Sequence, residues 1–389
     1  MLNMSDRSTA RICAGVPAMN NTLLWRIRFL VGDPVACLEL PAAGKTRSVL
    51  ILRDIEMERA RQAAEVDEVA CPADFAPADG LSGDRETATA QAAAECLRRE
   101  GIEEVVADRT LPFIFAEFLQ RAGISVSCDT ELWVQERRQK TAAEIEHLQA
   151  AQQVTEAAMQ FACQLVGRAA ARSGGVLFHE DAPLTSDRVR TAIDHFLMDR
   201  GYTTPTSIVA GGPVGADCHD RGEGNLLTGT PVIIDIFPRS RETSYWGDCT
   251  RTVVHGDIPD EVRAMHATVR RAKAAGEQAV VPGASGEDIH RATIKVITEE
   301  GYAVGLPKPE DPLDYCAMTH GTGHGIGLDV HEPPLLDFKA PPLLVGDALT
   351  IEPGLYRRDL GGVRVEDMVV VTDDGCRNLN EISEELTWA

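Results

Sequence analysis

The sequence predicts a mixed α/β (α+β) fold in which a smaller α/β domain precedes a larger domain built from two similar halves. Before residue 140, strand-like runs such as "SVLILR" and "EEVVAD" alternate with stretches of helical spacing such as "ETATAQAAAECLRRE". After residue 140, a pair of helix-like stretches precedes a strand-like run twice. The two runs, "LLTGTPVIID" and "LLVGDALTIE", resemble each other, which predicts a pseudo-twofold axis in the larger domain.

Changes in pattern along the chain predict three segments. Residues 1–20 show no periodicity and are expected to form a loose N-terminal arm. Residues 21–140 make up the small α/β domain and residues 141–389 the larger one. The second boundary is placed at Lys140 or Thr141, because Thr141 and Glu144 have the spacing of a capping box at the start of a long helix.

Each half of the larger domain carries a matched pair of acidic residues. Asp235 and Glu352 occupy the tenth position of the two aligned runs. Asp248 follows Asp235 by 13 residues, and Glu366 follows Glu352 by 14 residues. Because the helix-like stretches at 141–171, 186–200, 259–278 and 286–300 repeat the same order, we expect the four carboxylates to meet on the axis.

Composition excludes several classes of partner. The net charge of −22 argues against nucleic acid and anionic membrane, since both are bound through basic surface. No basic start followed by an apolar run and a cleavage site is present, and no apolar run reaches the ~20 residues of a membrane span. The ten cysteines are spread singly without a C-x-x-C pair, which is typical of reduced thiols. We therefore expect a cytoplasmic enzyme or binding protein.

The stretch "THGTGHGIGLDVHEPP" at 319–334 concentrates three of the ten histidines of the chain, His320, His324 and His331. Glycines separate them, and residues without a Cβ allow a backbone to pass close to another group. Burying four carboxylates in one cleft requires cations. With His324 as a single nitrogen donor and no thiolate, the set suits two Mn²⁺, Co²⁺, Fe²⁺ or Zn²⁺ ions that share a bridging water, which is hydrolytic chemistry.

These residues carry a resemblance to a known family. The stretches "DIF…YWGDCTRTV", "HGTGHGIGLDVHE", "IEPGLY" and "GGVRVEDMVVV" stand in the order found in peptidase family M24, the pita-bread metallopeptidases. The chain is similar to the branch of Xaa-Pro dipeptidases (prolidases) and aminopeptidases P across residues 141–389. The segment before it loosely resembles the creatinase-type domain of that branch.

The resemblance implies the roles of the site residues. Asp248 and Glu366 would bridge two divalent ions, Mn²⁺ first among the candidates, Asp235 would complete one ion, and His324 with Glu352 would complete the other. Glu352 would also move the proton from the water to the leaving nitrogen. His219 and His331 would hold the substrate carbonyl and the tetrahedral intermediate. Arg364 stands two residues before Glu366, hence on the same face of the expected strand, where it would hold that ligand in place. His320 would pack beside the ligands.

The chain departs from this branch in three places. The loop between Asp235 and Asp248 is two residues longer, and it adds Arg239 and Arg241. Prolidases usually carry an arginine, which holds the carboxylate of a dipeptide, at the position of Leu335. Arg239 or Arg241 could replace that arginine; otherwise longer peptides with an Xaa-Pro start should be preferred. An extra segment, "LPKPEDPLDYCAM", is expected to form a flap or a dimer contact.

The leading hypothesis is a dinuclear metallopeptidase that cleaves after an N-terminal residue, with a peptide as substrate and a homodimer as its expected form. A metal-free hydrolase of the creatinase type shares the fold but lacks several of these carboxylates. A non-catalytic pita-bread module that binds partner proteins would have lost metal ligands. A methionine aminopeptidase would have no need of the preceding domain.

Overall fold

The computed structural model describes residues 9–42 and 45–388. By its internal contacts the chain divides into two compact units, residues 1–137 and residues 138–389. Residues 1–8 of the predicted N-terminal arm lie outside the described part of the chain.

The first unit is a six-stranded mixed sheet with helices packed against it. Its elements are β1 (Thr9–Gly15), α1 (Asn21–Ile27), β2 (Val35–Ala42), β3 (Lys45–Ile51), α2 (Met57–Ala63), β4 (Glu68–Ala70), α3 (Arg85–Arg99), β5 (Glu104–Ala107), α4 (Phe113–Arg121), β6 (Ser125–Cys128) and α5 (Val134–Arg138). The strands lie in the order β4-β3-β2-β1-β5-β6. Strand β1 runs antiparallel to β2 and parallel to β5.

The prediction of a loose arm over residues 9–20 is wrong. Strand β1 lies in the middle of the sheet, and Ile12, Cys13 and Ala14 are completely buried. Its sequence, "TARICAG", has too few large apolar residues to show a strand pattern by itself. Pairing with β2 and β5 on both sides satisfies its backbone groups, so neighbours rather than local propensity determine this strand.

The second unit contains long helices and several short mixed sheets. Its elements are α6 (Ala142–Gly167), β7 (Ala170–Ala171), β8 (Leu177–His179), β9 (Ala182–Pro183), α7 (Ser186–Met198), β10 (Tyr202–Thr203), β11 (Ile208–Gly211), β12 (Pro231–Ile236), β13 (Arg239–Ser240), β14 (Cys249–Val254), α8 (Asp260–Ala279), α9 (Gly286–Glu299), β15 (Ala303–Val304), β16 (Cys316–Met318), β17 (Gly323–Gly325), β18 (Glu332–Leu336), β19 (Ala348–Ile351), β20 (Gly354–Arg357), β21 (Gly361–Arg364), β22 (Asp367–Val371) and β23 (Cys376–Asn378). The predicted capping box is present, since Thr141 accepts from the Glu144 amide and Glu144 caps the Thr141 amide in return.

The two halves of this unit repeat one arrangement. Helices α6 and α7 precede the antiparallel pair β12 and β14, and helices α8 and α9 precede the antiparallel pair β19 and β22. Strand β12 ends one residue after Asp235, and β14 begins one residue after Asp248. Strand β19 ends one residue before Glu352, and β22 begins one residue after Glu366. Each half therefore offers one acid near the end of its first strand and one before its second strand.

A buried ion-pair network supports the strands that carry these acids. The Arg251 side chain on β14 is fully buried, and its Nη2 donates to Asp367 Oδ1 at 2.7 Å. The same guanidinium donates to the carbonyl of Glu366 at 2.6 Å. Lys273 on α8 also pairs with Asp367. The network links β14, β22 and α8, and β14 and β22 are the strands that Asp248 and Glu366 immediately precede.

Replacing Arg251 by methionine is expected to lower the free energy of unfolding by about 3 kcal/mol or more. The change leaves buried carbonyl groups without donors and Asp367 with a single cation, and breaking a buried ion pair typically costs about 3–5 kcal/mol. Urea unfolding followed by circular dichroism measures the loss. Arg263→Met, at an exposed position of α8, should change stability by less than ~0.5 kcal/mol. Equal small effects at both positions would contradict this account of the network.

Within the described residues, none of the helices is both long enough and apolar enough to cross a membrane.

Candidate metal centre

The four predicted carboxylates and His324 line a single cavity of about 550 Å³. Their positions come from different strands: Asp235 from β12, His324 from β17, and the other three from the residues next to β14, β19 and β22. The longer loop between Asp235 and Asp248 does not separate them, since both aspartates face the cavity. The strand ends of the two halves thus bring together residues up to 131 positions apart in the sequence.

Three of these side chains form a compact set of metal donors. Asp248, His324 and Glu366 are buried, and each offers one donor atom within 4.8 Å of the others. The Nε2 atom of His324 is 3.8 Å from Asp248 Oδ2 and 3.4 Å from Glu352 Oε1. Glu352 therefore adjoins the cluster on the side of His324.

The ring of His324 is held with one nitrogen free for a metal. Its Nδ1 lies 3.1 Å from the carbonyl oxygen of Gly325, so Nδ1 carries the proton and donates it there. Nε2 is left with its lone pair toward the carboxylates, the usual arrangement of a metal-binding imidazole. Gly323 explains part of the glycine pattern, because a Cβ at this position would lie 1.9 Å from the carbonyl oxygen of Thr350.

Arg364 supports a different ligand from the one predicted. Its Nη2 donates to Asp235 Oδ2 at 2.8 Å, whereas Glu366 accepts from the hydroxyl of Thr250 at 2.7 Å. The prediction assumed that Arg364 and Glu366 share one strand face. The structure ends β21 at Arg364 and begins β22 at Asp367, which interrupts the alternation of side chains between them.

A hydrogen-bonded chain extends from Asp235 to His320. Arg364 Nη1 donates to the hydroxyl of Tyr356 at 2.9 Å, and this hydroxyl lies 2.7 Å from His320 Nε2. His320 Nδ1 lies 2.8 Å from the carbonyl oxygen of Gly321, so Nδ1 is the protonated nitrogen and Nε2 accepts from Tyr356. His320 thus reaches Asp235 only through two other side chains.

Thr250 and Tyr356 are two polar residues of the site that the sequence did not reveal. The signal for Thr250 was its position two residues after Asp248 on a strand, which places both side chains on one face. The signal for Tyr356 was a polar group in "IEPGLY", four residues after Glu352. Each lies in a motif where the acidic residue alone had been considered.

The cluster has the electrostatic character of a cation site. Burial raises the pKa of Glu352 to about 7, with further upward contributions from Asp235. Burial and the charges of neighbouring carboxylates raise the pKa values of Asp248 and Glu366 well above their usual range. Asp235 Oδ1 is buried without a hydrogen-bond partner among the described residues. A pair of divalent cations would remove this repulsion and satisfy the unpaired oxygen, so the residues fit such a group.

Metal-free protein is expected to lose stability as pH rises from about 4.5 to about 7. Folding raises the pKa of Glu352 from its ordinary value of 4.5 to about 7. Between these two values the folded state binds more protons than the unfolded state, so the free energy of unfolding falls as pH rises. Thermal unfolding of chelated protein at a series of pH values measures the effect. Glu352→Gln should flatten the profile, and Mn²⁺ should raise the midpoint most near pH 7. A chelated profile identical in wild type and variant would contradict the raised pKa.

The predicted catalytic histidines lie in the wall of the same cavity. The ring of His331 contacts His324 edge to face, with ring centres 4.3 Å apart. Burial lowers the pKa of His331, so a neutral imidazole faces the cavity at pH 7. His219 is exposed, and its amide donates to Asp217 Oδ1 at 3.0 Å. Both histidines are therefore accessible to a bound ligand.

Arg239 and Arg241, considered for a substrate carboxylate, are not among the described residues that line the cavity. Arg239 on β13 donates through Nε to the carbonyl of Ser244 at 3.0 Å and lies over the ring of Trp246. Arg241 is exposed to solvent. The inserted residues pair with β10 instead of folding over the cleft, so this geometry does not support a carboxylate-binding role for either arginine.

The fold and this carboxylate-rich site together are those of a pita-bread protein whose two halves bring a candidate set of metal ligands into one cavity. The profile of metallopeptidase family M24 matches residues 146–373, more than half of the chain. This chain belongs to metallopeptidase family M24. The family and the fold predicted from the sequence are thereby confirmed.

Individual relatives agree with this membership. The chain is 34% identical over 205 residues to the protein named "Probable dipeptidase PepE" of Mycobacterium tuberculosis, which covers 52% of this chain and 51% of that protein. It is 30% identical over 202 residues to the Xaa-Pro dipeptidase of Pyrococcus furiosus, with 51% of this chain and 54% of that one covered. The chain thus spans about half the length of the curated relatives it matches.

A solved structure extends the likeness to nearly the whole chain. The Xaa-Pro dipeptidase from Bacillus anthracis superposes with a TM-score of 0.76 at 25% identity, covering 98% of this chain and 94% of that one.

Proposed function

We propose that this chain is a peptidase that uses two divalent metal ions to hydrolyse the bond after an N-terminal residue, with proline preferred in the second position. The observation that carries the proposal is the convergence of four carboxylates and His324 Nε2 at one cavity, with Asp235 Oδ1 left unpartnered. Membership of family M24 supports a metallopeptidase, and the relatives named Xaa-Pro dipeptidase support proline.

In the proposed site, two ligands would contact both metal ions and three ligands would contact one ion each. Asp248 and Glu366, which are buried and close to His324, would each contact both ions. Asp235 would bind one ion through its unpaired Oδ1 while Arg364 holds Oδ2. His324 and Glu352 would bind the other ion. When bound, the ions would supply a water of lowered pKa and polarise the scissile carbonyl.

The remaining roles belong to side chains of the cavity wall. Glu352, which lines the cavity beside His324, would accept a proton from the metal-activated water and deliver it to the leaving nitrogen. Because Oε1 lies 3.4 Å from His324 Nε2, we assign this proton transfer to the other carboxylate oxygen, Oε2. His331 and His219 would donate hydrogen bonds to the developing oxyanion. Phe237, Val330 and Leu335 form an apolar part of the wall suited to a proline ring.

The test combines metal analysis with hydrolysis of matched peptides. Purified protein loaded with Mn²⁺ should hold up to two ions per chain and cleave Ala-Pro or Ala-Pro-Ala faster than Ala-Ala. Hydrolysis that persists after complete chelation would favour the metal-free creatinase type. Protein that binds neither metal nor peptide would favour the non-catalytic module.

The identity of the metal and the oligomeric state belong to the same proposal. Mn²⁺ is the first candidate because the donor set is rich in oxygen, and Co²⁺, Zn²⁺ and Fe²⁺ are alternatives. The homodimer expected from the sequence stays a prediction that analytical ultracentrifugation checks. The extra segment before His320 keeps Leu306 and Leu313 exposed, and its role as a flap or dimer contact also stays a prediction.

A further inference from the structure

Arg221 is a cation in the cavity wall that the proposed mechanism does not use. Among the described residues, five carboxylates and two guanidinium groups line the cavity. One guanidinium, that of Arg364, is occupied by Asp235 and Tyr356. The other belongs to Arg221, which is exposed and has no side-chain hydrogen bond or ion pair with any described residue. The cavity therefore contains one positive charge that is available to a ligand.

The backbone beneath Arg221 is held firmly in place. Its carbonyl accepts from the amide of Val209 at 3.1 Å and also from the guanidinium of Arg190. The next residue, Gly222, has a φ of +77°, and a Cβ there would lie 1.8 Å from the carbonyl oxygen of Val209. Such close packing against β11 leaves little freedom for the main chain. Arg221 thus occupies a defined position despite lying in a loop.

This position is close to the metal ligands. Ile208, which precedes Val209 on β11, lies directly opposite Asp235 on β12. The amide of Val209 is bonded to Arg221, so the Arg221 segment runs along the side of β11 away from β12. With neighbouring strands about 4.8 Å apart, its backbone lies about 10 Å from that of Asp235. A long arginine side chain can cover much of this distance, and Arg221 is among the residues that line the cavity.

A small peptide brings a negative charge into this cavity. The C-terminal carboxylate of a dipeptide lies one residue from the scissile bond, and it would meet the acidic side chains of the wall, including the half-exposed Asp337. Leu335 contributes no charge. An arginine offers two parallel N–H donors that match a carboxylate. Arg221 is the one group in the described wall that offers them without giving up another partner.

We propose that Arg221 binds the C-terminal carboxylate of a dipeptide substrate and makes dipeptides the preferred substrates of this chain. The inference rests on the proposed peptidase function and adds its size selection. Arg221 takes the place of Arg239 and Arg241 as the candidate for binding the substrate carboxylate. The sequence predicted a preference for longer peptides if neither Arg239 nor Arg241 bound that carboxylate, and the present proposal predicts a preference for dipeptides instead.

The test compares substrates with and without the carboxylate. Mn²⁺-loaded wild type, Arg221→Gln and Arg221→Lys are assayed on Ala-Pro and on its C-terminal amide, and wild type also on Ala-Pro-Ala. Arg221→Gln should lower kcat/KM for Ala-Pro by about 10-fold or more, mainly through KM, because a charge-assisted hydrogen bond is lost. Its rate on the amide should stay within about 2-fold of wild type, and Arg221→Lys should recover part of the loss on Ala-Pro.

Controls separate this inference from the function on which it rests. Arg241→Gln, at an exposed arginine outside the described cavity wall, should leave both substrates unaffected. Metal content and the thermal midpoint of each variant exclude misfolding as the cause of a loss. Equal losses on Ala-Pro and the amide, or no loss on either, would overturn the role of Arg221 while the peptidase function stands. If wild type cleaves Ala-Pro-Ala faster than Ala-Pro, the dipeptide preference is overturned while the peptidase function stands. If it cleaves none of the three substrates, the peptidase function fails and this inference falls with it.

Discussion

Replacing Asp248 by alanine is expected to remove most of the bound metal and to lower peptide hydrolysis by more than about 100-fold. Asp248 is buried, its Oδ2 lies 3.8 Å from His324 Nε2, and it shares a donor cluster with Glu366. As the proposed bridging ligand it serves both ions, so its loss should exceed the 10- to 100-fold effect typical of residues that merely orient a ligand. Metal per chain is measured by mass spectrometry after dialysis, and activity on Ala-Pro in parallel.

Two further variants sharpen this experiment. Asp248→Asn keeps the size of the side chain but removes its charge, and it should also release metal. Asp337→Ala removes another carboxylate of the same cavity wall, outside the three-residue cluster, and should retain the ions. An Asp248→Ala protein with full metal content and full rate would eliminate the assignment of this centre.

Replacing His331 by alanine is expected to lower kcat by about 100-fold while metal content and KM change little. As a donor to the developing oxyanion, His331 would contribute more to the transition state than to substrate binding, and loss of one such donor costs about 100- to 1,000-fold. Its ring contacts that of His324 edge to face, and burial keeps it neutral at pH 7, with one N–H to donate.

His195→Ala is a suitable control for this variant because His195 is exposed on α7 and lies outside the described cavity wall. His331→Gln retains an N–H donor and should recover part of the rate. An unchanged kcat in His331→Ala would show that His331 has a structural role in its loop and no role in catalysis. A loss of metal instead of rate would show that His331 supports His324.

The sequence predicted the parts of the site that depend on local pattern. Asp235, Asp248, Glu352 and Glu366 could be singled out because the two halves repeat the spacing, and the structure places each of them at the end of a strand. The capping box at Thr141 is equally local, since its partners are three residues apart. The parts that failed depend on packing between distant segments. The partner of Arg364 is Asp235, 129 residues away, and no spacing within "GGVRVED" reveals it.

The position of β1 shows the same limitation in the first unit. Apart from Ile12 its residues are small or polar, and pairing with β2 and β5 makes this segment a central strand. The unpaired guanidinium of Arg221 was likewise invisible, because the sequence shows an arginine in a loop but not which cavity that loop borders. The charges around Arg221 belong to residues from both halves of the second unit, and only the folded structure brings them to one cavity.

The division of the metal ligands between two halves has a consequence for how the protein matures in the cell. A ribosome releases Asp248 well before Glu366, which follows 118 residues later, or about 6 to 24 s at a synthesis rate of ~5–20 residues per second. For the first 76 of these residues the nascent chain presents the two aspartates without His324, and Glu352 and Arg364 follow later still. The proposed centre would therefore be completed late in biogenesis, and a chain interrupted before Glu366 would leave the ribosome without its full set of ligands.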